Sequence, residues 1–201
     1  MDERVKTDMG ALAATLDYDA ELMLRVKDGD GASFAVLLEK HRSPVFHFLY
    51  RMVQNYPVAE ELAQEVFLRV YRSRESYEPT AKFTTWLFRI ATHLALNSLR
   101  DGKNERLQER LDDDSSELPS RQISDRQPSA EQRLVYQVRL DEVRRAVAML
   151  PEKQRAAVLM HKYQEMEYSQ IAKVLGCSES AVKSLLFRAY ETLRARLAHM
   201  A

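Results

Sequence analysis

Cysteine is almost absent from this chain of 201 residues, and that shortage is the first of several that narrow what it can be. A single thiol, Cys177, excludes an intramolecular disulfide and a cysteine zinc cluster, which suits a reducing compartment. Five glycines and six prolines are too few for the many turns of a β-sandwich and fit long helices. No apolar run approaches the ~20 residues needed to cross a bilayer, so no membrane insertion is expected. The N-terminal stretch, with Asp2, Glu3, Arg4, Lys6 and Asp8, lacks a signal-peptide core, and a cytoplasmic location is expected. Neither an internal repeat nor a glycine-rich phosphate loop is present. His41 and His47 have no second ligand type at metal spacing and read as packing or surface residues; no metal and no cofactor is expected.

Net charge is lacking too, with thirty basic and thirty acidic residues, but the balance hides a polarised chain. From Gln132 to Ala201 there are twelve Lys or Arg against seven Asp or Glu; from Asn104 to Glu131 there are four against eight. A basic C-terminal part can meet a polyanion that the acidic stretch would repel.

What is present is helical period, most tellingly from Tyr168 to Arg188. Ile171 and Leu175 lie on one face, Ala172 is small where a second helix must cross, and Gly176 supplies the left-handed residue that ends a helix. Ser178 is an N-cap for the next helix, which buries Val182, Leu185 and Leu186 and turns Lys183, Ser184, Phe187 and Arg188 outward. That is the spacing of a helix-turn-helix whose second helix meets phosphates and base edges. Cys177, at the turn, reads as a packing residue.

Upstream, residues 1–16 show no sustained period and read as a mobile lead-in. Asp17 or Asp19 can cap a first helix containing Leu22, Met23 and Val26, and Asp28-Gly-Asp-Gly breaks it. From Ala32 the period returns, with Pro44 expected to kink or interrupt the run. Asn55-Tyr-Pro opens a third helix, buried along Leu62, Val66 and Val70 and acidic on the other side at Glu60, Glu61, Gln64 and Glu65. After a loop, Thr84 or Thr85 is expected to cap a fourth helix with Trp86, Leu87, Ile90, Ala91, Leu94 and Leu99 on its apolar stripe. Arg89, His93, Asn97 and Arg100 stand away from that stripe. Residues 104–131 read as a flexible acidic linker, with Asp112-Asp-Asp-Ser-Ser-Glu at its centre. Helical period resumes at Leu134, and Pro151 is expected at the first position of a further helix.

Three stretches together resemble the extracytoplasmic-function sigma factors of bacterial RNA polymerase, within the sigma-70 family. Ala59-Glu-Glu-Leu-Ala-Gln-Glu-Val-Phe-Leu-Arg-Val-Tyr looks like that family's polymerase-binding helix. The run from Phe83 to Arg100 looks like its promoter-melting and minus-ten helix. Leu150-Pro-Glu-Lys-Gln-Arg-Ala-Ala-Val-Leu, with the helix-turn-helix behind it, resembles the domain that reads the minus-thirty-five element. The resemblance implies an all-α fold: residues 17–103 a sigma-2 domain, 104–131 a linker, and 132–201 a sigma-4 domain. It implies a non-enzymatic factor that binds core RNA polymerase and promoter DNA, with an anti-sigma factor as a further partner. Glu60, Glu61, Leu62, Gln64, Glu65 and Phe67 would dock on polymerase; Tyr77, Lys82, Arg89, Asn97 and Arg100 would serve minus-ten recognition and melting; Lys183, Ser184, Phe187 and Arg188 would read minus thirty-five. Leu185 departs from the family pattern, standing where many relatives carry another basic residue. Trp86 sits on the apolar stripe and reads as packing rather than a strand-separating wedge. A stand-alone helix-turn-helix regulator is the alternative, and it has no need of the Ala59–Arg100 match.

Overall fold

The computed structural model describes residues 17–108 and 130–200, and every regular element among them is a helix. α1 (Tyr18–Lys27), α2 (Gly31–Val53), α3 (Tyr56–Arg72) and α4 (Phe83–Gln108) form a first group. α5 (Ala130–Ala148), α6 (Glu152–Tyr163), α7 (Tyr168–Leu175) and α8 (Glu179–Leu197) form a second. A short 3-10 turn, Arg74–Ser76, leads out of α3, and another, Ala198–Met200, follows α8.

Local chemistry sets the helix starts. Asp30 caps α2 by accepting from the N–H groups of Ala32 and Ser33, and Asn55 caps α3 by accepting from that of Val58, with Pro57 in the first turn. Asp17 serves two helices at once. Its Oδ1 accepts the N–H of Ala20 (2.7 Å) at the start of α1, and its Oδ2 accepts the N–H of Phe83 (3.1 Å) at the start of α4. The expected Thr84 or Thr85 cap is therefore replaced: both threonines lie inside α4, and a carboxylate 66 residues earlier does the work.

Pro44 does not end its helix either. α2 runs on through it, because residues before and after it, Leu37 and His41, then Val45, Phe48, Leu49 and Met52, are all buried. That packing, contributed by α1, α3, α4 and α6, outweighs one missing backbone bond. Pro151 occupies the N-cap of α6, one residue ahead of the expected position.

α4 continues to Gln108 and α5 begins at Ala130, so both ends of the expected 104–131 linker are helical. Residues 109–129, including Asp112, Asp113 and Asp114, lie outside the described residues, as do 1–16. The two groups of helices share one continuous apolar core, in which α7 packs across α4 and α6 lies against α2. In α6 the consecutive residues Arg155 to Met160 are all buried, as expected of a helix enclosed on every side.

Candidate nucleic-acid interface

The helix-turn-helix is built as its sequence suggests. Glu167 and Gln170 form a reciprocal capping box at the start of α7, and Gly176 ends it in the left-handed region at φ 63°, where a side chain would be strained. Ser178 then accepts the N–H of Ala181 (3.2 Å) to start α8. Ile171, Ala172, Val174, Val182 and Leu186 are buried and fix the angle between the two helices. Cys177 is half-buried against the same core.

This packing leaves Lys183, Ser184, Phe187 and Arg188 all exposed on one side of α8. Phe187 keeps 67% of its surface, an isolated large aromatic that folding does not use. Two cations, a hydroxyl and an aromatic on adjacent turns can meet phosphates, guanine acceptors and a thymine methyl. Leu185, half-buried, supports the core side.

A second polar surface runs along α4 and the loop before it. Lys82, Arg89, His93 and Arg100 are exposed and Asn97 is half-exposed. The Arg100 Nη2 donates to the Asn97 side-chain oxygen (3.2 Å), holding both in one row. His93, Leu96, Asn97 and Arg100 face Glu152 and Lys153, from the first turn of α6, across an open cleft. Trp86 is half-buried, with its ring 4.9 Å from that of Tyr77 and 5.8 Å from that of Phe83, so it packs.

Two of the expected contact residues are not at the surface. Tyr77 is 3% exposed, wedged against Trp86 and Phe83, and burial pushes its phenol up to about 12. Its side chain anchors the loop from inside, while Lys27 Nζ donates to its carbonyl oxygen (3.2 Å). The sequence showed an aromatic in a polar loop; burial came from a hydrophobic floor supplied by α4. Phe67, on α3, is 8% exposed and belongs to the core with Val66 and Val70. Helical geometry leaves Glu60, Glu61 and Gln64 exposed, with Leu62 half-buried beside them. Glu65 accepts from Arg69 Nε (2.7 Å). The acidic face of α3 is thus real, with Phe67 beneath it.

Two other polar residues have roles the sequence reading did not assign, and Asp17, not Asp19, is the cap of α1. Asp19, buried in the first turn of α1, accepts from Lys40 Nζ (2.7 and 2.8 Å) and lies 2.9 Å from His41 Nε2. Arg155 is buried where the two groups of helices meet. Its place before Ala156-Ala-Val-Leu-Met was the available signal, since no side of that helix is left for solvent. Among the described residues no cluster of His, Cys, Asp or Glu could hold a metal, and no helix is long and apolar enough to cross a membrane.

Residues 37–105 match the family model for sigma-70 region 2, and residues 140–193 that for sigma-70, region 4. The chain is 33% identical over 178 residues to RNA polymerase sigma factor CarQ of Myxococcus xanthus, covering 89% of this chain and 97% of that one. It is 29% identical over 175 residues to ECF RNA polymerase sigma factor SigW of Bacillus subtilis, covering 86% and 93%. Among solved structures, a sigma factor RpoE bound to the anti-sigma factor NepR from Bartonella quintana superposes with a TM-score of 0.67 at 20% identity, covering 82% of this chain and 96% of that one. With both regions matched in order and a relative of this identity aligned over almost its whole length, the chain belongs to the sigma-70 family of RNA polymerase sigma factors, in its extracytoplasmic-function group.

Proposed function

We propose that this chain binds bacterial core RNA polymerase in the cytoplasm and directs it to promoters, with no catalytic chemistry of its own. The observation that carries the reading is the presence of two separate exposed surfaces bearing cations, on α4 and on α8, in the two segments matched by sigma-70 regions 2 and 4. A stand-alone helix-turn-helix regulator needs only the second.

In this reading the exposed acids of α3, Glu60 and Glu61, with Gln64 and Glu65, meet a basic polymerase surface, since complementary charge sets register and encounter rate. Leu62 lies beside them, and Phe67 fixes the helix from below. Lys82, Arg89, Asn97 and Arg100 hold the minus-ten strand, and the loop anchored by Tyr77 presents itself to a single-stranded base. Lys183, Ser184, Phe187 and Arg188 read the minus-thirty-five duplex. An anti-sigma factor, such as those bound to the sigma factors it resembles in fold, would act by covering these surfaces.

The test is reconstitution. Purified chain is added to bacterial core polymerase with a promoter library randomised across both elements, and the transcripts are sequenced. Promoter-specific transcripts that need the chain are expected. Arg188→Ala should cost about 1–3 kcal/mol at preferred promoters and relax preference at one upstream position. Sequence-specific duplex binding by the free chain, with no transcription from any promoter, would instead establish the regulator.

A further inference from the structure

Methionine is divided unevenly between core and surface. Met23, Met52, Met160 and Met166 are buried, as a flexible apolar side chain usually is. Met149 instead keeps 63% of its surface, on the bend between α5 and α6. Its backbone is held nonetheless. The Met149 N–H donates to the Arg145 oxygen (3.1 Å), and Arg155 Nη2 donates to the carbonyls on either side, those of Ala148 and Leu150. A thioether is therefore presented to solvent from a fixed position.

The sulfur also meets a cation. Arg196, in the last turn of α8, brings its Nη1 to 2.8 Å from the Met149 Sδ. Just beyond it, His199 Nε2 lies 3.3 Å from the Glu142 Oε2 on α5. Together these contacts tie the far end of α8 to α5 and to the bend that follows it. The sulfur contact is the weak one, because a thioether is a poor acceptor. It is also the one that covalent chemistry can strengthen.

We propose that Met149 is an oxidant-reactive modification site whose sulfoxide is captured by Arg196. The co-reactant is a hydroperoxide. A sulfur lone pair attacks its terminal oxygen; the S–O bond forms as the O–O bond breaks, and the proton of the transferred oxygen passes to the departing one, which leaves as water or an alcohol. Sulfur loses two electrons and the peroxide gains them. Sulfur has two lone pairs, so the hydrogen bond from Arg196 leaves one for the attack. The product oxygen is a strong acceptor beside a guanidinium, and a charge-assisted hydrogen bond replaces the weak contact. Oxidising a buried methionine puts a polar group into the core and loosens it. At Met149 the new oxygen meets solvent and a cation, so the sign reverses and the end of α8 is held more tightly. This site is independent of the sigma-factor reading above.

The test treats the folded full chain with hydrogen peroxide, in a Cys177→Ser background that removes the competing thiol. Peptide mass spectrometry reads oxygen uptake at each methionine, and hydrogen exchange reads protection along α8. Met149 should take up one oxygen at least about ten times faster than Met23, Met52, Met160 and Met166. Its conversion should slow exchange from Arg194 to Leu197 about two- to fivefold, a modest gain because both partners are exposed and water screens them. Met149→Gln, with an amide oxygen close to the sulfoxide's place, should reproduce that slowing without peroxide. Met149→Leu should leave exchange indifferent to peroxide, which separates this site from every other methionine. Arg196→Ala should still be oxidised at Met149 yet gain no protection. These substitutions change exposed side chains, so the fold is not at stake. Buried methionines oxidised as fast as Met149 would overturn the site. Unchanged or faster exchange in the oxidised parent, or equal slowing in Arg196→Ala, would overturn the capture.

Discussion

The two helices proposed to meet promoter DNA are built to opposite plans. α4 is 26 residues long and buries Phe83, Leu87, Phe88, Ala91 and Ala95, so it is a central beam of the first group whose polar row is what the core leaves over. α8 buries Val182, Leu186 and Ala189 and keeps a wide outer side free, with Phe187 standing out from it. Under the proposed function a substitution on α4 therefore confounds reading with folding, whereas one on the outer side of α8 would isolate reading. Start signals differ in the same sense: α8 is capped from within its own turn by Ser178, and α4 from another helix by Asp17.

Two phenylalanines put this contrast to its hardest test. Phe88 is 1% exposed, edge-on to Phe48 with ring centres 5.2 Å apart, and Phe88→Ala should cost about 3–5 kcal/mol of folding stability by urea unfolding. Phe187→Ala should stay within about 0.5 kcal/mol in the same assay yet weaken preference for thymine at one upstream position. Equal stability losses from the two would show that α8 does not hold its outer side free.

The caps come next in size. Asp17→Ala should cost about 2 kcal/mol, roughly 1 for each helix start it serves, and should lower hydrogen-exchange protection at the beginnings of both α1 and α4. Ser178→Ala should cost about 1 kcal/mol and loosen α8 alone. Loosening confined to α1 in the Asp17 variant would show that the long-range cap on Phe83 contributes nothing.

That asymmetry also explains what the sequence made legible. The helix-turn-helix could be read residue by residue, because Ser178, Gly176 and the Ile171 to Leu186 spacing act within a few residues of one another. The acidic side of α3 and the outer residues of α8 were legible for the same reason. Thr84 and Thr85 looked like caps only because Asp17 is 66 residues away from the N–H it serves. Tyr77 and Phe67 looked available because their burial depends on what other helices lay over them. Arg155 read as one more charge in Glu152-Lys-Gln-Arg, since its partner at Met52 is 103 residues distant. Local rules were visible and tertiary ones were not, and Pro44, overridden by packing on both sides of it, belongs with the second kind.

The smallest expected effect concerns the polar tie inside the first group, which has no counterpart among the caps of the helix-turn-helix. His41 is buried between Asp19 and the Phe83 ring, 5.4 Å away. Burial lowers its pKa below the ordinary 6.5, overcoming the upward pull of the hydrogen bond to Asp19 and of the Asp19 charge. Lys40, on both oxygens of Asp19, supplies the countercharge and itself opposes a second cation. His41 is thus neutral, with Nε2–H donating to Asp19. Because the folded pKa lies below the unfolded one, the unfolded chain takes up a proton first as pH falls. The stability this tie contributes is complete above about pH 6.5 and declines on acidification through the folded pKa. His41→Gln retains an amide donor for Asp19 and does not titrate. Urea unfolding of parent and variant between pH 7.5 and 5.5 should show a flatter dependence in the variant. The same slope in both would mean that His41 is not held neutral, and a steeper slope in the variant would reverse the sign assigned to its burial.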